Sequence, residues 1–110
     1  MEIRTTYLSG RLTLYLTGEL DHHEARCAIR TIDELMDEYL PRDCVLDLNG
    51  LSFMDSSGIG VVLGRYRLLC LRGGSVALMH LTPQVRRIYD LSGMAQIIPV
   101  IEEKEAQGCN

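Results

Sequence analysis

Residues 45–66, VLDLNGLSFMDSSGIGVVLGRY, decide the fold prediction for this chain. A short apolar run typical of a buried β-strand passes through a loop into a strongly helical pattern. The loop delivers four residues to the start of the helix, where backbone N–H groups are unpaired and the helix dipole is positive: Asp55, Ser56, Ser57 and Gly58. Because an added anion would be stabilised there and would change what the surface binds, the two hydroxyls indicate a phosphorylation switch rather than an active site.

Length and composition predict one domain and exclude several classes of function. The 110 residues, 46% of them hydrophobic, suffice for a buried core, which we expect over residues 2–101 before a short tail over residues 102–110. The 11 Lys and Arg residues are scattered and the net charge is −4, so a nucleic-acid partner is disfavoured. No apolar run reaches the roughly eighteen residues of a membrane-spanning helix, and the N-terminus lacks the features of a signal peptide. We therefore expect a cytoplasmic protein without a membrane partner.

The apolar periodicity predicts an α/β fold with the element order ββαβαβαβ. Three helices are expected, one after Asp21 as its N-cap, one from near Ser57 and one from Thr82, while Gly18 ends the second strand. Because short strand–helix–strand connections imply parallel pairing, we expect a mixed five-stranded sheet, an N-terminal hairpin plus parallel strands, covered by three to four helices. The five predicted strands span residues 2–8, 11–17, 44–48, 75–79 and 96–101.

The helix that begins near Ser57 carries apolar residues on two sides. One stripe, at a period of 3.6 residues, is predicted to pack on the sheet: Ile59, Val62, Leu63, Tyr66 and Cys70. A second stripe is predicted on the opposite face: Val61, Gly64, Leu68 and Leu71. Either another helix covers the second stripe or it binds a partner, and the serines at the end of this helix favour a partner. Gly60 and Gly64 favour it too, because each lowers helix stability by about 1 kcal/mol relative to alanine and leaves a smooth surface.

Other interpretations of the polar residues have less support. Asp55 and the two serines are typical of a helix N-cap with no further function, and Ser57 is the expected cap. The Gly58-Ile59-Gly60 run lacks the third glycine and the lysine of a phosphate loop, so a small nucleotide-binding or NTP-hydrolysing protein is weakly supported. The adjacent side chains of Asp21-His22-His23 point in different directions, so no metal and no other cofactor is predicted.

The cysteines and arginines are expected to be structural. Cys27, Cys44 and Cys70 lie in apolar patterns and are predicted to act as small core residues. Three arginines of the second helix resemble a basic patch: Arg65, Arg67 and Arg72. They are predicted to form its solvated edge, with an acidic partner as the alternative.

Three motifs together carry a resemblance to a known family: GELDHH at residues 18–23, LSFMDSSG at residues 51–58 and GRY at residues 64–66. Over roughly residues 2–100 the chain resembles the anti-sigma factor antagonists of the STAS domain family, above all the sporulation antagonists of endospore-forming bacteria. The resemblance implies a small mixed sheet with helices and no enzymatic activity. It also implies that the unphosphorylated protein binds an anti-sigma factor that is a serine kinase, and so releases a sigma factor.

The same resemblance implies how binding is switched. The kinase would use ATP to phosphorylate Ser56, with Ser57 as the alternative site; the phosphate would end binding and a serine phosphatase would restore it. A monomer is expected when the protein is free, and a STAS module of a general stress-response pathway is the alternative function. The fuller C-terminal helix usual in the family is in doubt here, since the tail is short. The expected partner-binding residues are Asp21, His22, Asp55, Ser56, Ser57, Gly58, Gly60, Val61, Gly64 and Leu68.

Overall fold

Four strands, three α-helices and one short 3₁₀ turn make up residues 1–102, the part of the chain that the computed structural model describes. The expected order of elements is confirmed from the first strand to the third helix. None of these helices is both long and apolar enough to cross a membrane. In chain order the elements are β1 (Glu2–Leu8), β2 (Arg11–Leu20), α1 (Ala25–Tyr39), β3 (Asp43–Met54), α2 (Ser56–Leu71), β4 (Ser75–Met79), α3 (Pro83–Leu91) and the 3₁₀ turn (Met94–Gln96).

The sheet is mixed, with the strand order β1-β2-β3-β4. β1 and β2 form the predicted antiparallel hairpin, closed by a turn in which Gly10 has a φ of 84°, a left-handed value that favours glycine. β2 pairs with β3 and β3 pairs with β4 in parallel. The hairpin plus parallel strands of the predicted α/β fold are therefore confirmed.

The predicted fifth strand over residues 96–101 is wrong. This segment contains the end of the 3₁₀ turn and then a single parallel bridge between Leu78 and Val100. Leu78 donates its N–H to the carbonyl of Pro99 and accepts from the N–H of Ile101, both at 2.9 Å. Pro99 has no N–H of its own, so the ladder cannot extend along the edge. The tail over residues 103–110, where a fourth helix was considered, lies outside the described residues.

One hydrophobic core joins the sheet to all three helices. The strand residues of the core cluster alternate along the first part of each of the three parallel strands, as the period of two predicts. β3 is the central paired strand and is buried at every position over residues 44–48. Removing a leucine or valine side chain of this kind from water stabilises the fold by about 1.5–3 kcal/mol. The core residues contributed by these elements are Leu12, Leu14, Leu16, Leu20, Cys44, Leu46, Leu48, Leu51, Met54, Val76 and Leu78 from the strands, and Ala28, Ile32, Met36, Val61, Val62, Leu69, Val85 and Tyr89 from the helices.

β3 is longer than predicted and has two unlike parts. Its first part, Asp43–Asp47, pairs with β2 on one side and with β4 on the other. Its second part, residues 48–54, pairs with β2 alone, through a ladder with two register shifts. The predicted strand end at Gly18 is wrong, because this glycine takes a φ of 114° at one of the shifts while β2 continues to Leu20. β2 and β3 consequently end side by side, with Leu20 opposite Met54.

Candidate functional site

The ends of β2 and β3 bring two of the sequence motifs together. Since the strands are parallel and end at the same edge of the sheet, the turn that begins at Asp21 and the α2 start at Asp55 leave from neighbouring positions. The N–H of Asp55 donates to the carbonyl of Leu20 over 3.5 Å. The GELDHH and LSFMDSSG motifs are thus neighbours in space.

Asp21 holds the first of these turns. Its carboxylate accepts hydrogen bonds from the backbone N–H groups of His23 and Glu24, each at 3.0 Å. α1 begins only at Ala25, so the prediction that Asp21 is the N-cap of this helix is wrong; Asp21 caps the preceding turn instead. His22 and His23 are exposed at the turn, with their rings edge to face at 5.7 Å. Within residues 1–102 no three metal-binding side chains cluster here or elsewhere.

Asp55 is the N-cap of α2. It has an extended backbone, and its carboxylate accepts the N–H of Ser57 at 2.9 Å, which satisfies one of the unpaired donors of the first turn. The expectation that Ser57 is the cap is therefore wrong. Ser56 is the first helical residue and is exposed, whereas Ser57 is half-buried. Of the two hydroxyls, that of Ser56 is presented more openly to an approaching protein.

Gly58 is a packing residue rather than a contact residue. It is buried, and a Cβ added to it would meet Cγ of Met54 and lie 2.9 Å from Sδ of Met54 and 3.0 Å from the carbonyl oxygen of Leu20. The glycine therefore lets the first turn of α2 lie directly on the ends of β2 and β3. A direct contact of Gly58 with a partner, as predicted, is ruled out by this burial.

α2 has a buried and an exposed face, and each retains most of one predicted stripe. Val62 is buried and Ile59, Leu63 and Tyr66 pack partly buried against the core, as predicted. On the other side Gly64 is half-buried, and Leu68 and Leu71 are exposed. Val61 is 2% exposed, so its assignment to a partner-binding stripe is wrong. Cys70 is exposed and does not pack on the sheet. Apolar residues on both sides of a helix leave its rotation undefined, because the hydrophobic pattern then has no single direction. The buried residues are Gly58, Val61, Val62 and Leu69.

The exposed face of α2 runs from Ser56 to two leucines. Ser56 and Gly60 are exposed and Gly64 is half-buried; a Cβ added to either glycine would meet nothing within 4 Å. Leu68 and Leu71 follow at 36% and 81% exposure. We call these five residues the α2 stripe. Four of its members belong to the predicted partner-binding residues: Ser56, Gly60, Gly64 and Leu68. The hydroxyl of Ser56 lies at its N-terminal end.

The side chain of Arg65 lies between α2 and α1, so the prediction that it belongs to the solvated edge is wrong. Its side chain is 11% exposed, and Nε lies 3.0 Å from Oδ1 of Asp33 on α1, as an ion pair without hydrogen-bond geometry. Arg72 also reaches α1, where it donates to Asp37 at 3.0 Å. Both arginines thus pair with α1. Arg67 and Arg72 are exposed, as predicted for the solvated edge.

The three described cysteines are not all core residues. Cys44 is buried, as predicted, and burial raises the pKa of its thiol to about 12. Cys27 and Cys70 are exposed, so their assignment to the core is wrong. The Tyr66 hydroxyl has a raised pKa, first because of its hydrogen bond with the Cys70 side chain and then because of that group's charge.

Two residues of the site escape sequence reasoning. Phe53 is 39% exposed on β3, two residues before Asp55. Gln84, on the first turn of α3, bonds with its side-chain amide to both backbone groups of Met54. Alternation along the strand separates Phe53 from the buried Met54, but no local pattern links two residues that lie 30 positions apart, as Gln84 and Met54 do.

Comparison with known proteins assigns the chain to a family. The model of the STAS domain matches residues 2–107. The anti-sigma F factor antagonist of Paenibacillus polymyxa is 38% identical over 94% of this chain and 89% of its own length. The anti-sigma factor antagonist SpoIIAA in its unphosphorylated form is 30% identical, with a TM-score of 0.82 over 99% of both chains. The Bacillus SpoIIAA in its phosphorylated form has 30% identity and a TM-score of 0.73 over 97% of both chains. The chain belongs to the STAS domain family, among its anti-sigma factor antagonists.

Proposed function

We propose that this protein binds an anti-sigma factor that is a serine kinase and so releases a sigma factor in the control of sporulation transcription. The kinase uses ATP to phosphorylate Ser56, which ends binding, and a serine phosphatase removes the phosphate. The solved structures of SpoIIAA in two phosphorylation states support a switch of this kind. The similarity to the antagonist of Paenibacillus polymyxa, which acts on anti-sigma F, supports the sporulation assignment.

The single observation that carries the proposal is the position of Ser56 at the head of the α2 stripe. The hydroxyl is exposed, so a kinase reaches it without unfolding the chain. Behind it, Gly60 and Gly64 leave a surface without side chains, and Leu68 offers an apolar contact. One partner surface lying along α2 would therefore cover the residue that it modifies.

Electrostatics explain how a phosphate would end binding without refolding the chain. It adds about −1.5 to −2 charges at pH 7. On the free protein the N-terminus of α2 stabilises this charge. In a complex the charge would lie beside the Asp55 carboxylate and lose its water, so repulsion and desolvation would both weaken binding. The switch is then a local change of charge.

Intact-mass measurement tests the proposal. The protein is incubated with ATP and the anti-sigma F factor of Paenibacillus polymyxa, and the product is mapped by peptide. One phosphate, absent in Ser56→Ala and retained in Ser57→Ala, is the expected result. A phosphate lost only in Ser57→Ala would move the site to Ser57. The activity of the factor is first checked on its own antagonist. If a factor that phosphorylates that antagonist leaves this chain without a phosphate, the sporulation assignment is contradicted.

The alternative functions have distinct outcomes in the same assay. Phosphorylation only by an anti-sigma factor of a general stress-response pathway would favour that role. ATP or GTP turnover by the isolated chain, lost in Ser56→Ala, would favour a small NTP-hydrolysing protein.

A further inference from the structure

Within residues 1–102, no strand pairs with the second part of β3 on the side where β4 would continue. β4 pairs only with Asp43–Asp47, while β3 runs on to Met54. Side chains from the start of α3 take the place of the missing strand. Thr82 donates from its hydroxyl to the carbonyl of Leu51 over 3.4 Å. Gln84 uses Oε1 to accept the N–H of Met54 and Nε2 to donate to the carbonyl of Met54, both at 3.0 Å.

The paired bonds of Gln84 reproduce one rung of a sheet. A side-chain amide has one acceptor and two donors in one plane, and this amide meets the N–H and the C=O of a single residue. On the β2 side, the N–H of Asp55 reaches the carbonyl of Leu20 at 3.5 Å, which is longer than either bond of Gln84. The two hydrogen bonds of Gln84, at 3.0 Å, are also shorter than the 3.4 Å bond of Thr82, the other side chain of α3 that holds the second part of β3.

Met54 is the point from which the switch segment starts. Its backbone is held by Gln84, and its side chain lies where a Cβ of Gly58 would stand, against the first turn of α2. Asp55, the cap of α2, follows directly, and Ser56 comes next. Any movement of the Met54 backbone would shift both the cap and the serine.

We propose that Gln84 is a positioning residue for Ser56: through the Met54 backbone it fixes the start of α2 in the orientation that the kinase engages. This inference rests on the proposed function. Transfer of a phosphoryl group depends on the alignment of the attacking hydroxyl, so freeing the anchor of the segment that carries Ser56 slows the reaction. Gln84 is exposed on α3, so its replacement leaves the core intact.

Two variants and a matched control test the inference. Gln84→Ala removes the amide, and Gln84→Met removes it while retaining the length of the side chain. Gln96→Ala makes the same change at an exposed glutamine of the 3₁₀ turn. Hydrogen exchange of the Met54 amide is measured on the free chain, and kcat and KM for phosphorylation of Ser56 are measured with the anti-sigma F factor of Paenibacillus polymyxa.

Both Gln84 variants are expected to exchange the Met54 amide about tenfold faster, the effect of losing hydrogen bonds worth about 1.4 kcal/mol. They are expected to lower kcat/KM for Ser56 by a similar factor, mainly through kcat, while Gln96→Ala behaves as the wild type. Unchanged exchange would overturn the inference, and so would faster exchange with wild-type phosphorylation. An effect of Gln84→Ala that Gln84→Met does not share would also overturn it, since packing would then be the cause. Absence of phosphorylation in the wild type would instead defeat the proposed function on which the inference rests.

Discussion

The two faces of α2 contain nearly the same residue types and behave differently. The buried face has Gly58 and Leu69, and the exposed face has Gly60, Gly64 and Leu68. A Cβ on Gly58 would collide with Met54, whereas a Cβ on Gly60 or Gly64 would meet nothing within 4 Å. Residue type therefore does not reveal the role of a residue in this helix; the face on which it lies does.

The glycines of the two faces also differ in whether packing explains them. Each glycine in a helix interior lowers stability by about 1 kcal/mol relative to alanine. At Gly58 close packing on Met54 and Leu20 accounts for this cost. At Gly60 and Gly64 no contact within the described residues 1–102 accounts for it, which supports the proposed use of the α2 stripe as a binding surface.

The largest expected contrast is between the adjacent leucines Leu69 and Leu68. Leu69 is 0% exposed, so Leu69→Ala is expected to lower the free energy of unfolding by about 2–5 kcal/mol. Leu68 is 36% exposed, so Leu68→Ala is expected to change it by less than about 1 kcal/mol. Urea unfolding measures both. Leu68→Glu is expected to weaken binding of the anti-sigma factor while the chain stays folded; a loss of several kcal/mol in this variant would assign Leu68 to the core.

The glycines provide the second contrast. Gly58→Ala is expected to destabilise the chain by about 1–3 kcal/mol, because Met54 must move while the Leu20 carbonyl cannot. Gly60→Ala, the matched control, is expected to stabilise it by up to about 1 kcal/mol and to weaken binding of the anti-sigma factor. Thermal unfolding and a binding titration measure these effects. Equal stability changes at the two glycines would refute the distinction between the faces.

Charge at the head of the stripe is the third test. Ser56→Asp is expected to weaken binding of the anti-sigma factor at least tenfold, about 1.4 kcal/mol, through repulsion beside Asp55 and desolvation. The melting temperature should change little, since Ser56 is exposed at a helix N-terminus. Ser75→Asp, at the exposed start of β4, is the control for added charge and should bind normally. Loss of cooperative unfolding in Ser56→Asp would contradict a local switch.

The thiols provide the smallest contrast. At pH 8 an alkylating reagent should modify Cys70 on α2 and Cys27 on α1 within minutes, and Cys44 only on unfolding, as peptide mapping would show. Folding raises the pKa of Cys44 from 9.0 to about 12. Above pH 9 the unfolded chain therefore loses this proton while the folded chain keeps it, so the contribution to stability declines from pH 9 towards pH 12. Rapid labelling of Cys44 in the folded chain would contradict its burial.

Much of the architecture was predictable from local patterns. The hairpin, the parallel strands and the Thr82 cap of α3, whose hydroxyl accepts the N–H of Val85 at 3.4 Å, all follow from alternation, turn residues and capping. The errors about buried and exposed residues occur where the same local pattern fits two rotations of a helix. Cys27 and Cys70 fit an apolar face by sequence, yet the rotation of each helix leaves them exposed.

The sequence by itself determined the order of elements from β1 to α3, the family and the position of Ser56 at the start of a helix, because these depend on residues adjacent along the chain. Only the tertiary structure decided which face of α2 is buried, that Asp55 rather than Ser57 caps it, and that Gln84 holds the end of β3. Those features depend on contacts between distant segments. These contacts contribute free energy only once the sheet and the helices pack together, so they cannot be predicted from a short stretch of sequence.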